Sequence, residues 1–293
     1  MSVYEQITAS ICAAIEQNPG EFQLPWHRSG SQNFRPTNAS SRASYRGVNV
    51  VALWAAAQMR GYESAEWATY KQWASLGAQV RRGEKSSVIV FYRELDAPEN
   101  ADDDTGRRFV ARASHVFNAA QVEGYTPPIT PPSMTTIDPH AAADAFIAAT
   151  GARISHEGTR AFYRPSTDEI VLPPPSAFIG TPTSTPTESY YATVLHELAH
   201  WTGAESRLAR TFGERFGDAA YAAEELVAEL TAAFLTADLR VTNAPRADHA
   251  QYLSAWLSLM RADTRAIFTA ASAAARAADF LHALQPRQES AAA

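Results

Sequence analysis

SYYATVLHELAHWTGAESRLAR, residues 189–210, sets the reading of this chain. His196 and His200 stand four apart, so on a helix both imidazoles leave one face and can share a metal ion. Glu197, beside the first imidazole, can reach a metal-bound water without ligating. A divalent zinc brings that water's pKa toward neutrality, and the carboxylate can take its proton. Tyr191, Val194, Leu195, Leu198 and Trp201 supply the apolar positions that a packed helix needs.

A catalytic zinc normally takes three protein ligands. One known arrangement adds a third histidine at the end of HExxHxxGxxH. Here the run is HELAHWTGAES: Gly203 matches, but Ser206 stands in the ligand place. The other source is a glutamate on a following helix, and residues 221–233 (YAAEELVAELTAA) offer Glu224, Glu225 and Glu229. Glu225 and Glu229 share a face, whereas Glu224 points about a third of a turn away. We expect Glu225 to be the ligand and Glu229 to buttress a ligand histidine, the reversed pair being the alternative. Asp218, Glu205 and His249 are weaker candidates. The expected cofactor is one divalent metal, Zn2+ first and Mn2+ second.

Outward from this segment, helical spacing recurs over 220–240, 247–261 and 263–284, and again over 141–150 before Gly151. Residues 160–172 read as two short strands around a Pro-Ser-Thr-Asp turn. Residues 126–139 (TPPITPPSMTTIDP) carry five prolines, which preclude continuous helix or central strand and imply a semi-rigid linker between independent cores. Upstream, residues 87–95 and 109–117 read as two strands around the polar insert 98–108, and residues 48–61 and 65–76 as helices ending near Gly61 and Gly77. The first residues form an amphipathic helix with Tyr4, Ile7, Ile11 and Ile15 on one face, not a signal peptide. The tail 286–293 is expected to be disordered.

Of 293 residues, 46% are hydrophobic, ample for sizeable cores. The single cysteine, Cys12, excludes an intramolecular disulfide and points to a reducing compartment. No apolar run is long enough for a bilayer, so the expected location is the cytoplasm, without a membrane partner. The net charge of -6 hides a split. Residues 1–93 carry ten Lys or Arg against six acidic residues, while residues 126–293 carry twelve against eighteen. In the basic third, cations and aromatics interleave: Tyr45, Arg46, Trp67, Tyr70, Lys71, Trp73, Arg81, Arg82 and Lys85 are the candidate contacts. Single-stranded nucleic acid is bound this way, bases stacking on rings while cations follow the phosphates. The stretch GAQVRRGEKS, residues 77–86, is the candidate phosphate-contacting turn.

Three N-terminal runs resemble the single-stranded-DNA-binding domain of ArdC-type antirestriction proteins: YRGVNVVALW (45–54), WATYKQWASLGAQVRRGEKSSVIVFY (67–92) and HVFNAAQVEG (115–124). The runs AFYRPSTDEIVLP (161–173), residues 189–210 and YAAEELVAEL (221–230) resemble the polyvalent-protein metallopeptidase domain that follows it. The resemblance implies a protein of conjugative plasmids that protects incoming DNA from host restriction, its metal bound by His196, His200 and a glutamate of EELVAE. The resemblance does not supply the substrate of any peptidase activity; a host protein is the candidate. The expected fold is α+β: a single-stranded-DNA-binding α+β domain (1–125), the Pro-rich linker (126–139), and a mainly helical zincin-like metallopeptidase domain (140–285).

Overall fold

The structure is a computed structural model that describes residues 1–16, 34–95, 108–127, 139–180, 184–212, 219–241 and 249–286. Most of the Pro-rich linker, the hairpin insert, Asp218 and the tail from 287 lie outside them.

The chain opens with helix α1 (Val3–Glu16), whose Ile7, Ile11 and Ile15 are buried at the expected spacing. Strand β1 (Thr37–Asn38) leads to α2 (Val48–Arg60), which Gly61 ends in the left-handed conformation at φ 66°. The helix expected over 65–76 is instead two elements: β2 (Glu66–Thr69) and a short α3 (Tyr70–Ser75). Thr69 and Gln72 form a reciprocal cap that starts α3 late, and Trp67, Ala68 and Thr69 pair antiparallel with a later strand. Two-residue β3 (Gln79–Val80) precedes the long hairpin of β4 (Ser87–Leu95) and β5 (Arg108–Asn118), paired from Ser87↔Val116 to Leu95↔Arg108. Sheet order is β1-β2-β5-β4, and β6 (Val122–Glu123) pairs with β3.

Next come α4 (Pro139–Ala149) and a three-stranded sheet of β7 (Arg153–His156), β8 (Phe162–Arg164) and β9 (Glu169–Leu172), in the order β7-β9-β8. β8 and β9 are the expected hairpin, with Asp168 in its turn at φ 50°. β7, too short and polar at its ends to show an apolar alternation, is a strand that sequence reading missed. Among the described residues, four helices follow: α5 (Pro186–Thr202), α6 (Ala220–Leu239), α7 (His249–Ala262) and α8 (Ala266–Ala283). α5 starts three residues earlier than expected, because Thr185 and Glu188 cap one another around Pro186 at the first helical position. No described helix is long and apolar enough to cross a membrane.

The expectation of independent cores fails. The largest apolar cluster takes Ile7, Ile11 and Ile15 from α1 and Val50, Val51 and Trp54 from α2 together with Leu195, Leu198, Phe234 and Ile267 from the later helices. Tyr4 packs edge-on against Phe268 at 4.7 Å, and the Trp54 and Phe234 rings lie 5.9 Å apart. The Thr8 hydroxyl donates to the Thr264 carbonyl at 2.8 Å, and Arg46 pairs with Asp279. A half-buried helix face states that it needs a partner, not which one. The isoleucines of α1 find theirs across the Pro-rich stretch.

Candidate metal centre

α5 carries His196 and His200 on one face, their ring centroids 4.9 Å apart and their planes at 74°. The two Nε2 atoms approach to 3.2 Å. α6 packs alongside and brings the Glu225 carboxylate to 3.6 Å from His196 Nε2 and 3.5 Å from His200 Nε2. Two ligand atoms at about 2.05 Å from one tetrahedral zinc stand roughly 3.3 Å apart, so the spacing suits such an ion. Two neutral imidazoles and one carboxylate are also the donor chemistry that zinc accepts. These three are the described residues that cluster with metal-ligand geometry, all their ligand atoms within 4.8 Å of one another.

The other ring nitrogens face carboxylates. Glu229 Oε2 lies 3.5 Å from His196 Nδ1, on the side where a buttressing carboxylate would stand. Glu224, set aside from its helical angle, lies 3.2 Å from His200 Nδ1. Burial works against ionisation of Glu224, but hydrogen bonds from Arg210 and His200 outweigh it and hold the carboxyl below its ordinary range. At Glu225, burial is likewise outweighed, by the His196 hydrogen bond and the charges of both histidines. Arg210, which sequence reading did not single out, grips Glu224 through Nε at 2.8 Å and Nη2 at 2.5 Å.

His196 and Glu197 are buried, and with His200 and Glu225 they line a cleft of about 1360 Å³. Phe162, Tyr163 and Asp168 of the β8–β9 hairpin line it too, as do Tyr221 and Tyr252, whose hydroxyls are 3.0 Å apart. That hydrogen bond, then burial and the Glu225 charge, pushes the Tyr221 phenol up from its ordinary pKa. Glu205 and Ser206 line the cleft without joining the ligand cluster. The His249 side chain lies outside the described residues.

The N-terminal candidates divide. Tyr70, Lys71, Arg81, Arg82 and Lys85 are exposed. Gln79 donates to the Tyr70 hydroxyl at 2.7 Å and so ties β3, which leads into the Arg81–Lys85 turn, to α3. Arg81 also bonds Glu84 and the Ala120 carbonyl. Tyr45 is half-buried with its hydroxyl on Asn38, and Arg46 turns toward α8. Trp67 and Trp73 must be withdrawn as stacking surfaces: they are 1% and 0% exposed. The Trp73 indole donates to the Phe117 carbonyl and packs against Tyr125, so neither face is open to a base. Phe91 and Tyr92 on β4 are exposed instead.

Residues 141–273 match the family model of a zincin-like metallopeptidase, and residues 1–122 that of the N-terminal domain of anti-restriction factor ArdC. The chain is 44% identical over 292 residues to the uncharacterized protein y4eC of Sinorhizobium fredii (strain NBRC 101917 / NGR234), covering 97% of this chain and 92% of that one. It is 35% identical over 303 residues to a DNA primase TraC of Escherichia coli, covering 97% of this chain but only 27% of that protein. Among solved structures, the metal-free antirestriction ArdC protein from the R388 plasmid is 37% identical with a TM-score of 0.78, covering 98% of this chain and all of the other. Its Mn(II)-bound form superposes with a TM-score of 0.76 at 37% identity, covering 97% and 98%.

Proposed function

The chain belongs to the ArdC family of antirestriction proteins, and on that premise we propose that it binds single-stranded DNA through residues 1–125 and carries a metal-dependent peptidase centre in residues 140–285. Together these protect incoming conjugative plasmid DNA from restriction in the recipient cytoplasm. The observation that supports the catalytic half is the convergence of two imidazole nitrogens and a carboxylate at the floor of an open cleft, with Glu197 lining the same floor. His196, His200 and Glu225 are the residues to hold the ion, Zn2+ by the preference of such a donor set, with Mn2+ as the alternative that the R388 relative holds.

When bound, the ion supplies Lewis acidity, polarising a peptide carbonyl and acidifying water. Glu197 takes the proton from the attacking water and passes it to the leaving amine. Glu229 holds His196 with its Nε2 toward the other ligands. For DNA, the exposed group of Tyr70, Lys71, Arg81, Arg82 and Lys85 offers one open ring and several cations, with Tyr45 and Arg46 as the remaining candidates.

The test is a search for newly formed N-termini in recipient-cell lysate incubated with the zinc-loaded full-length chain or its Glu197→Ala variant. Cleavages present only with the wild type support the reading. Their absence, with metal bound, leaves a DNA-binding protein whose metal site is structural.

A further inference from the structure

We propose that Arg210 is a positioning residue for the metal centre: through Glu224 it fixes the tautomer and orientation of His200, and Gly203 is glycine so that Arg210 can reach that carboxylate. The inference rests on the reading of His200 as a metal ligand.

Beyond α5 the chain folds back, Leu208 N–H donating to the Thr202 carbonyl and Arg210 N–H to that of Gly203. The Arg210 side chain is thereby carried under the end of α5, where it is only 5% exposed. Its Nη2 donates at 2.8 Å to the Ala199 carbonyl, an acceptor in the last turn of α5 that also takes the Thr202 hydroxyl at 2.6 Å. Nη1 donates to Thr202 Oγ1 at 3.0 Å. Nε and Nη2 then take the two oxygens of Glu224 as a fork. A lysine ammonium cannot reproduce this planar, bidentate grip.

An ionised carboxylate accepts hydrogen bonds and donates none. With Glu224 so held, the proton of a neutral His200 belongs on Nδ1, 3.2 Å from Glu224 Oε1. The lone pair of Nε2 is then directed at Glu225 and His196, where the cation fits. A carboxylate behind a ligand imidazole is a general device. Here the carboxylate sits beside the ligand Glu225 in sequence and needs an arginine from another segment to hold it.

Gly203 completes the arrangement. Its φ of -75° is one that any residue adopts, so backbone freedom does not explain it. A Cβ at this position would lie 2.8 Å from Arg210 Nη2 and 3.1 Å from both Arg210 Cζ and the His200 carbonyl oxygen. The glycine of HELAHWTG therefore serves space.

The experiment uses the full-length chain, labelled with 15N-histidine and measured without metal, then titrated with Zn(II) against a chelating dye. The variants are Glu224→Gln, Arg210→Lys and Gly203→Ala, with circular dichroism as the control for folding. In the wild type, His200 should show a protonated Nδ1 and a bare Nε2. Glu224→Gln, which can turn its amide NH2 toward Nδ1, should lose that single tautomer and bind Zn(II) about 10–100-fold more weakly. Arg210→Lys and Gly203→Ala should shift both readouts in the same direction, and they stand in for Glu224→Gln should it not fold. A clamp that serves only stability would lower the melting temperature of these variants while leaving tautomer and affinity as in the wild type, and that result overturns the proposal. A wild type with Nε2 protonated at His200 overturns it alone; a wild type that binds no Zn(II) overturns the metal reading as well.

Discussion

The guanidinium of Arg207 lies 4.0 Å from the centre of the Trp201 ring while its fork holds Asp168 at 2.6 and 3.1 Å. One side chain thus pins the β8–β9 hairpin, which lines the cleft, to the end of the helix that carries both histidines. Nη2 also donates to the Tyr163 hydroxyl at 3.0 Å. The Asp168 carboxyl is held below its ordinary range, first by the Arg207 hydrogen bond, which exceeds the opposing effect of burial. Arg207→Ala should lower stability by about 1–2 kcal/mol, since Asp168 is half exposed and screened. The loss is expected near neutral pH. Because the folded pKa of Asp168 is depressed, the pair's stabilisation is present above the ordinary carboxylate pKa and fades as pH falls through the folded value. The difference in melting temperature between wild type and Arg207→Ala should therefore shrink in acid. A difference independent of pH would show that Asp168 is not the partner that matters.

Elemental analysis separates ligands from their supports. His196→Ala, His200→Ala and Glu225→Ala should each abolish stoichiometric metal in the purified chain. Glu229→Ala should retain it at saturating metal but with about 10–100-fold lower affinity. Loss with Glu229→Ala and retention with Glu225→Ala would exchange the two roles.

Glu197→Ala removes the proposed base and no ligand. Metal content and affinity for single-stranded DNA should stay as in the wild type, while any hydrolysis falls by about 10²–10⁴-fold. Conjugation into restricting and non-restricting recipients then shows whether coating suffices: if the variant binds DNA normally but protects nothing, cleavage of a host factor is required.

For DNA, anisotropy with the full-length chain should show affinity that falls as salt rises. Replacing Arg81 and Arg82 together by alanine should weaken binding and flatten the salt dependence. Trp67→Ala and Trp73→Ala should act differently, each destabilising the fold by about 3–5 kcal/mol because a buried indole leaves a cavity. Unchanged binding in the double arginine variant would move the interface elsewhere, with exposed Phe91 and Tyr92 the next surface to test.

The metal helix was legible because its message is purely local. Four residues of spacing dictate one face whatever surrounds it, and the same rule paired Glu225 with Glu229. Glu224 was not legible. Its angle on α6 was read against the metal alone, whereas its partner is the far nitrogen of His200, reached only once α5 and α6 are packed. Arg210 and Gly203 were hidden for the same reason, their relation being a steric one between two backbone segments. Trp67 and Trp73 misled because an alternation of rings and cations states composition, not which rings face inward. Thr185 and Glu188, by contrast, were readable as a cap and were passed over because the apolar spacing begins later.

The stacking of α1 and α2 against the later helices has a consequence for the peptide chain itself. Residues 126–139 join two segments whose apolar faces already cover one another, so the covalent connection is not what keeps them together. A single proteolytic nick there should leave both pieces travelling as one particle in gel filtration, separating only in denaturant. Released from its counterpart, the N-terminal piece would bare the isoleucine face of α1 and clump. Its affinity for DNA therefore has to be measured on the uncut protein or on the nicked pair.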